Sequence, residues 1–215
     1  MALNSWKPGE DIFSGHHTFV CGATQQGKTT FVVKRLSKLK KPVLFFNPQQ
    51  VRLGPGWIRA DSRSSWEQID SALKAGDKIN YIPNRKNARA ACELAVIIES
   101  LFEAGWSNSR NMLLGVDECH LARYHDKGDE AVETVATRGL YYGIHCVFIA
   151  QRPAYAHKAA YTQSDLHVMF RTNMEKAYFS GKGIPYESYN KMVAEGGQYS
   201  YAVFNGLEML GPFKE

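Results

Sequence analysis

The stretch His17-Thr18-Phe19-Val20-Cys21-Gly22-Ala23-Thr24-Gln25-Gln26-Gly27-Lys28-Thr29-Thr30 joins a short apolar run to a glycine-bounded loop and then to the start of a helical pattern. Residues 22–29 satisfy G-x-x-x-x-G-K-[ST]. Glycine at both ends permits a backbone that turns successive N–H groups inward as an anion nest. A helix starting at Gly27-Lys28 adds the positive end of its dipole. Gly22, Ala23, Thr24, Gln25, Gln26, Gly27, Lys28, Thr29 and Thr30 are therefore the candidate nucleotide-binding segment. Lys28 is expected on the β- and γ-phosphates, and the Thr29 hydroxyl on Mg²⁺.

Downstream, apolar runs alternate with helical patterns. A helix over Lys28–Lys40 carries Val32, Leu36 and Leu39 on one face and stops at Pro42. Val43–Phe46 reads as a strand, and Leu53–Trp57 as a Gly/Pro-rich connection. A weaker helix follows over Ser65–Ala75, then a strand over Lys78–Ile82. In Ala88–Ala104, Leu94, Ile97, Ile98, Leu101 and Phe102 fall at i, i+3, i+4, i+7 and i+8, the clearest helical signal in the chain. Strands are expected over Asn111–Val116, Ile144–Ala150, Leu166–Arg171 and Tyr199–Phe204, and a helix over Asp129–Tyr142. A glycine-punctuated segment separates the last two strands. The pattern predicts an α/β domain with a mostly parallel central sheet flanked by helices. Its expected limits are a single domain over 1–215, with an amino-terminal extension over 1–14, a core over 15–205 and a tail over 206–215.

Composition narrows the class. Of 215 residues, 44% are hydrophobic and 22% charged, which excludes a disordered or collagen-like chain. No apolar stretch approaches the roughly 20 residues of a membrane span, and the amino terminus has no apolar signal core. A net charge of +5 permits an anionic partner without requiring one. Cys21, Cys92, Cys119 and Cys146 are widely spaced, which favours reduced thiols in a reducing cytoplasm.

Two further segments complete an expected ATP site. Met112-Leu113-Leu114-Gly115-Val116-Asp117-Glu118 is an apolar strand ending in two acids, so Asp117 is the second candidate Mg²⁺ ligand. Glu118, one residue on, is placed to deprotonate an attacking water. The apolar strand ending at Ala150 delivers Gln151 and Arg152 to the same carboxyl edge of the sheet. Gln151 suits a γ-phosphate sensor, and Arg152 a partner for phosphate or for Asp117 and Glu118. The histidines lack a metal-ligand spacing, so zinc is not expected.

The set Gly22–Thr29, Val116-Asp117-Glu118, Gly143-Ile144-His145, Gln151-Arg152-Pro153 and Phe170-Arg171 resembles the FtsK/HerA superfamily of P-loop ATPases over roughly residues 15–205. Within it, the chain is similar to the single-domain genome-packaging ATPases of tailless icosahedral viruses that contain a membrane. The resemblance implies a RecA-like core of the additional-strand, catalytic-glutamate type. It also implies a homo-oligomeric ring, pentamer or hexamer, that translocates double-stranded DNA into a preformed capsid at the expense of ATP. Each site would be completed by a neighbour's arginine, matched here by Arg138, with Arg152 and Arg171 as fallbacks. Capsid or virion membrane proteins are the implied recruiters, and host cytoplasm or the packaging vertex of the virion the implied location.

Basic groups that could meet DNA are Lys34, Lys38 and Lys41 with Arg35, Lys7 and Lys40; Arg85, Lys86 and Arg89; and two loops. The loops are His120–Gly128, with Arg123, His125 and Lys127, and the one after Pro153, with His157 and Lys158. The alternatives are a filamentous-phage assembly or conjugation-type ATPase and, from a different class, a small-molecule kinase.

Overall fold

The computed structural model describes residues 11–13, 15–171 and 176–214. Lys7, and the expected extension apart from 11–13, lie outside the described residues.

The chain runs β1 (Thr18–Cys21), α1 (Lys28–Lys38), β2 (Val43–Phe46), β3 (Trp57–Asp61), α2 (Trp66–Lys74), β4 (Lys78–Ile82) and α3 (Asn87–Glu103). It continues through β5 (Met112–Val116), α4 (Asp126–Arg138), β6 (Ile144–Ala150), α5 (Lys158–Thr162), β7 (Leu166–Phe170), α6 (Lys176–Lys182), α7 (Tyr186–Gly196), β8 (Ser200–Phe204) and β9 (Met209–Lys214). The strands form one sheet in the order β3-β4-β2-β5-β6-β1-β7-β8-β9. The first seven in that order are parallel, and β8 and β9 close the edge antiparallel. β6 lies between the strand that leads into the loop and the strand that ends in Asp117 and Glu118, which is the additional strand expected.

Side chains alternate across this sheet, so each central strand serves two cores. Leu44 and Phe46 pack on the face covered by α2, α3, α4 and α7, whereas Val43 and Phe45 pack with Phe31, Val32 and Leu36 of α1. In α3, Leu94, Ile97, Ile98 and Leu101 are buried as the periodicity requires, and Gly105 takes the left-handed conformation just past its end.

Four segments differ from expectation. Trp57–Asp61 forms the parallel edge strand β3, which begins on the last residue of the expected Leu53–Trp57 connection and has no counterpart in the expected elements. The glycine-punctuated segment holds α6 and α7, and the expected tail contains β9, paired to β8. α4 starts at Asp126 rather than Asp129, because the His125 ring accepts from Lys127 N and caps it, after a 3-10 turn over Cys119–Tyr124. The four cysteines are unbridged, with Cys21, Cys119 and Cys146 buried. No helix among the described residues is long and apolar enough to cross a membrane.

Candidate nucleotide-binding site

The loop between β1 and α1 is wound tightly around its own backbone. Gln25 (φ 63°) and Gly27 (φ 89°) take left-handed conformations, and Phe31 N donates to Gly27 O at 2.8 Å to open α1. Ala23 N donates to Arg171 O at 3.0 Å, which ties the loop to the end of β7. That strand end is itself fixed by the buried Tyr189, whose hydroxyl donates to Phe170 O at 2.9 Å. Lys28 is 7% exposed and folds back over the loop, donating to Ala23 O at 2.9 Å. No side chain caps α1, so its first N–H groups face the concavity that the loop encloses.

Across the loop, β5 and β6 deliver their carboxyl-edge residues as the sequence implied. Thr29 Oγ1 lies 3.3 and 3.4 Å from the two Asp117 carboxylate oxygens, and Glu118 N donates to Asp117 Oδ1 at 3.1 Å. Gln151 Nε2 donates to Glu118 Oε1 at 3.3 Å. His120 Nδ1 stands 3.1 Å from Glu118 Oε2, near enough for an ion pair when protonated but off the line of a hydrogen bond. Glu118 holds this position with a left-handed backbone, φ 49° and ψ 49°, a conformation that costs an L-residue about 1–2 kcal/mol. Glu118, Gln151, Asp117, Thr29 and Lys28 are thus gathered at one point.

The acids differ electrically. Burial, and then the neighbouring Glu118 charge, push the Asp117 carboxyl up to about 7. Burial would also raise Glu118, but His120, Gln151 and the Lys28 charge outweigh it and hold that carboxyl below its ordinary range. Burial lowers Lys28 below the usual lysine range against the opposing pull of both acids. Raised above its unfolded value near 3.9, the Asp117 carboxyl favours the fold most below that pH, and the benefit fades as pH climbs through about 7. Asp117→Asn should therefore raise the melting temperature of the nucleotide-free protein by roughly 5 °C at pH 8. Near pH 4.5 the gain should almost vanish. Thermal unfolding of both proteins at the two pH values tests this, and an equal gain at both would remove the charge as its cause.

Thr29 and Asp117 offer hard oxygen donors converging beside the phosphate loop, which suits Mg²⁺. Among the described residues no three His, Cys, Asp or Glu side chains form an all-protein metal cage. A Mg²⁺ site that takes its remaining ligands from water and phosphate needs none.

The arginines are not gathered there within one chain. Arg138 ends α4, and its guanidinium reaches the Tyr142 hydroxyl at 3.3 Å. It precedes the start of β6, whereas Gln151 follows its end, so about 20 Å of strand separates the two. Arg152, expected against phosphate or the two acids, is exposed with its guanidinium 5.8 Å from the Tyr155 ring. Arg171 is exposed and serves the loop through its carbonyl.

Several basic candidates are already committed. His125 caps α4, and His157 caps α5 by accepting from Ala159 N at 3.1 Å. Arg35 stacks on Phe31 at 3.7 Å and donates to the Tyr201 hydroxyl. Lys34, Lys38 and Lys40 are exposed on α1 or just beyond it, and Arg85, Lys86 and Arg89 are exposed where α3 begins. The 3-10 turns Cys119–Tyr124 and Pro153–Tyr155 are joined by Arg123 Nη1 donating to Ala154 O at 3.4 Å. Together with Gln151 they line an open cavity of about 480 Å³ through His120, Arg123, Tyr124 and Tyr155.

Sequence reasoning missed His120 as a partner of Glu118, and it missed Phe170 and Tyr189 as the support beneath the loop. It also missed Tyr199, which is 47% exposed and left-handed at φ 62°. The Tyr199 ring lies 3.4 Å from the point where a Cβ on Gly27 would stand. Only the Asp117-Glu118-x-His120 spacing carried a readable hint.

No protein-family model and no curated protein sequence matches the chain. Among solved structures, the genome packaging NTPase B204 from Sulfolobus turreted icosahedral virus 2, in complex with AMPPCP, aligns with a TM-score of 0.57 at 18% identity. That match covers 93% of this chain and 98% of that one. EssC (ATPases 2 and 3) from Geobacillus thermodenitrificans aligns with a TM-score of 0.59 at 9% identity, over 94% of this chain and 40% of that one. The pCW3 conjugation coupling protein TcpA aligns with a TM-score of 0.56 at 13% identity, over 94% of this chain and 60% of that one. The chain thus has the mostly parallel α/β fold of these P-loop ATPases, in keeping with the FtsK/HerA resemblance of its motifs.

Proposed function

We propose that this protein is a Mg²⁺-dependent ATPase that drives double-stranded DNA into a preformed viral capsid as a homo-oligomeric ring. The observation that carries the hydrolytic half is the convergence of Lys28, Thr29, Asp117, Glu118 and Gln151 at the carboxyl edge of three neighbouring strands. The phosphate loop and Lys28 hold the triphosphate, and Thr29 and Asp117 would hold Mg²⁺. Held there, Mg²⁺ would supply charge neutralisation to the triphosphate. Glu118 accepts the proton of the attacking water, and Gln151, bonded to it, registers whether a γ-phosphate is present. This arrangement favours water over a sugar or base as acceptor, which separates it from a small-molecule kinase.

The packaging half is supported by the match to a viral genome packaging NTPase along nearly the full length of both chains. The fit to a conjugation coupling protein supports a second reading with the same motor and a different cargo. Arg138, remote from Lys28 in its own chain, is assigned to a neighbour's site, which only an assembled ring supplies. Work in the host cytoplasm or at the virion's packaging vertex, with capsid or virion membrane proteins as recruiters, follows from this reading.

ATP turnover measured with and without duplex DNA, together with the mass of the assembled species, tests it. The expected result is an oligomer whose turnover rises several-fold with duplex DNA. A monomer whose turnover ignores DNA would overturn the packaging reading and leave the ATPase reading standing.

A further inference from the structure

We propose that the Tyr199 ring, lying against Gly27 of the phosphate loop, is the shelf on which the base of a purine nucleoside triphosphate stacks. This assignment rests on the nucleotide-site reading above and adds to it a residue that sets which triphosphates are accepted.

The backbone gives the first reason. Tyr199 lies in the turn between α7 and β8, two residues after Gly197, and takes the left-handed conformation that glycine adopts freely and a bulky aromatic residue rarely does. A penalty of this kind persists where the side chain is needed for something other than folding. The core does not need it, since nearly half of the residue's surface faces solvent. Two residues on, in β8, Tyr201 is buried against Phe31 and Phe170 and already anchors the strand.

Direction gives the second. Asp117 and Glu118 follow β5, which stands on one side of β1 beyond β6, whereas β7 and β8 stand on the other. A triphosphate with its γ-end at Glu118 therefore runs along the loop and leaves its nucleoside on the β7–β8 flank. Tyr199 presents a half-exposed ring there, in van der Waals range of the loop at Gly27.

Stacking reads π-surface rather than edge hydrogen bonds. The ring should therefore prefer purines to pyrimidines and separate adenine from guanine poorly. No other part of the molecule is asked to change: phosphate binding stays with Lys28 and the loop, and bond cleavage with Glu118.

Equilibrium binding of a non-hydrolysable ATP analogue, of the matching CTP analogue and of inorganic tripolyphosphate, each with Mg²⁺, tests the assignment. In the wild-type chain the ATP analogue should bind about 10-fold tighter than the CTP analogue. Tyr199→Ala should weaken the ATP analogue about 10-fold, abolish the purine preference and leave tripolyphosphate affinity within about twofold. Tyr199→Phe should behave as wild type. In turnover assays Tyr199→Ala should raise KM for ATP about 10-fold while kcat stays within about twofold. Tyr199→Gly, which suits the backbone, should fold and reproduce the alanine result. An unchanged ATP-analogue affinity in both truncations overturns the proposal, and so does an equal loss of ATP-analogue and tripolyphosphate affinity, which would mean that the ring only props up the loop. Wild-type protein that binds neither ligand overturns the nucleotide-site reading itself, and this assignment falls with it.

Discussion

Glu118→Gln should retain ATP and lose turnover by 100- to 10,000-fold, the range that removal of a positioned general base produces. The amide is nearly isosteric, so Gln151 and His120, at 3.3 and 3.1 Å from the carboxylate, lose little packing. What disappears is the only function the amide cannot imitate, acceptance of the water's proton. Burial tends to raise this carboxyl, but His120, Gln151 and Lys28 bring it below its ordinary range, so it is ionised and ready at neutral pH. Nucleotide affinity and single-turnover hydrolysis, measured on the same preparation, separate binding from chemistry. Turnover within a few-fold of wild type would remove Glu118 from the mechanism.

Gly22→Ala should be nearly as damaging for a different reason. A Cβ at Gly22 would stand 2.5 Å from Phe170 Cβ and 3.2 Å from Phe170 Cα, atoms that no rotamer change can withdraw. Phe170 is fully buried, and its carbonyl is held by Tyr189, so the loop is the part that must move. Overpacking of this kind costs about 1–3 kcal/mol, or a fall of roughly 3–10 °C in melting temperature. The displaced loop should also bind ATP at least about 10-fold more weakly, because Ala23 loses its bond to Arg171 O. Gly54→Ala is the control: no atom lies within 4 Å of its Cβ, and neither property should change. A Gly22→Ala protein with wild-type stability and affinity would show that β7 yields instead.

The central sheet was legible because its strands are buried on both faces and therefore read as unbroken apolar runs. Val43–Phe46 and Ile144–Ala150, buried at every residue, are strands over the residues expected, and so is Lys78–Ile82, although Lys78 and Asn80 are only half-buried and break its apolar run. β3 escaped because an edge strand with Ala60 as its single buried residue has no apolar run to show. α7 escaped because glycine marks both of its flanks, and β9 because Gly211 and Pro212 interrupt it. At the site, the phosphate loop and the two acids were readable as local spacings. His120 left only the faint Asp117-Glu118-x-His120 spacing, whereas Phe170, Tyr189 and Tyr199 act through contacts between segments far apart in sequence, which no spacing along the chain encodes. The two histidines expected on DNA-facing loops went to helix caps, a demand set by where α4 and α5 begin.

Met112–Val116, Ile144–Ala150 and Thr18–Cys21 have no solvent-facing residue along their length. Amide protons in such strands are released only by sub-global or global opening, so in deuterium labelling they should belong to the last class to exchange. The carboxyl tips that carry Asp117, Glu118 and Gln151 are thereby mounted on strands buried at every residue. On the proposed reading, displacement on turnover would fall to the short turns that follow those tips, over Cys119–Tyr124 and Pro153–Tyr155, rather than to the sheet.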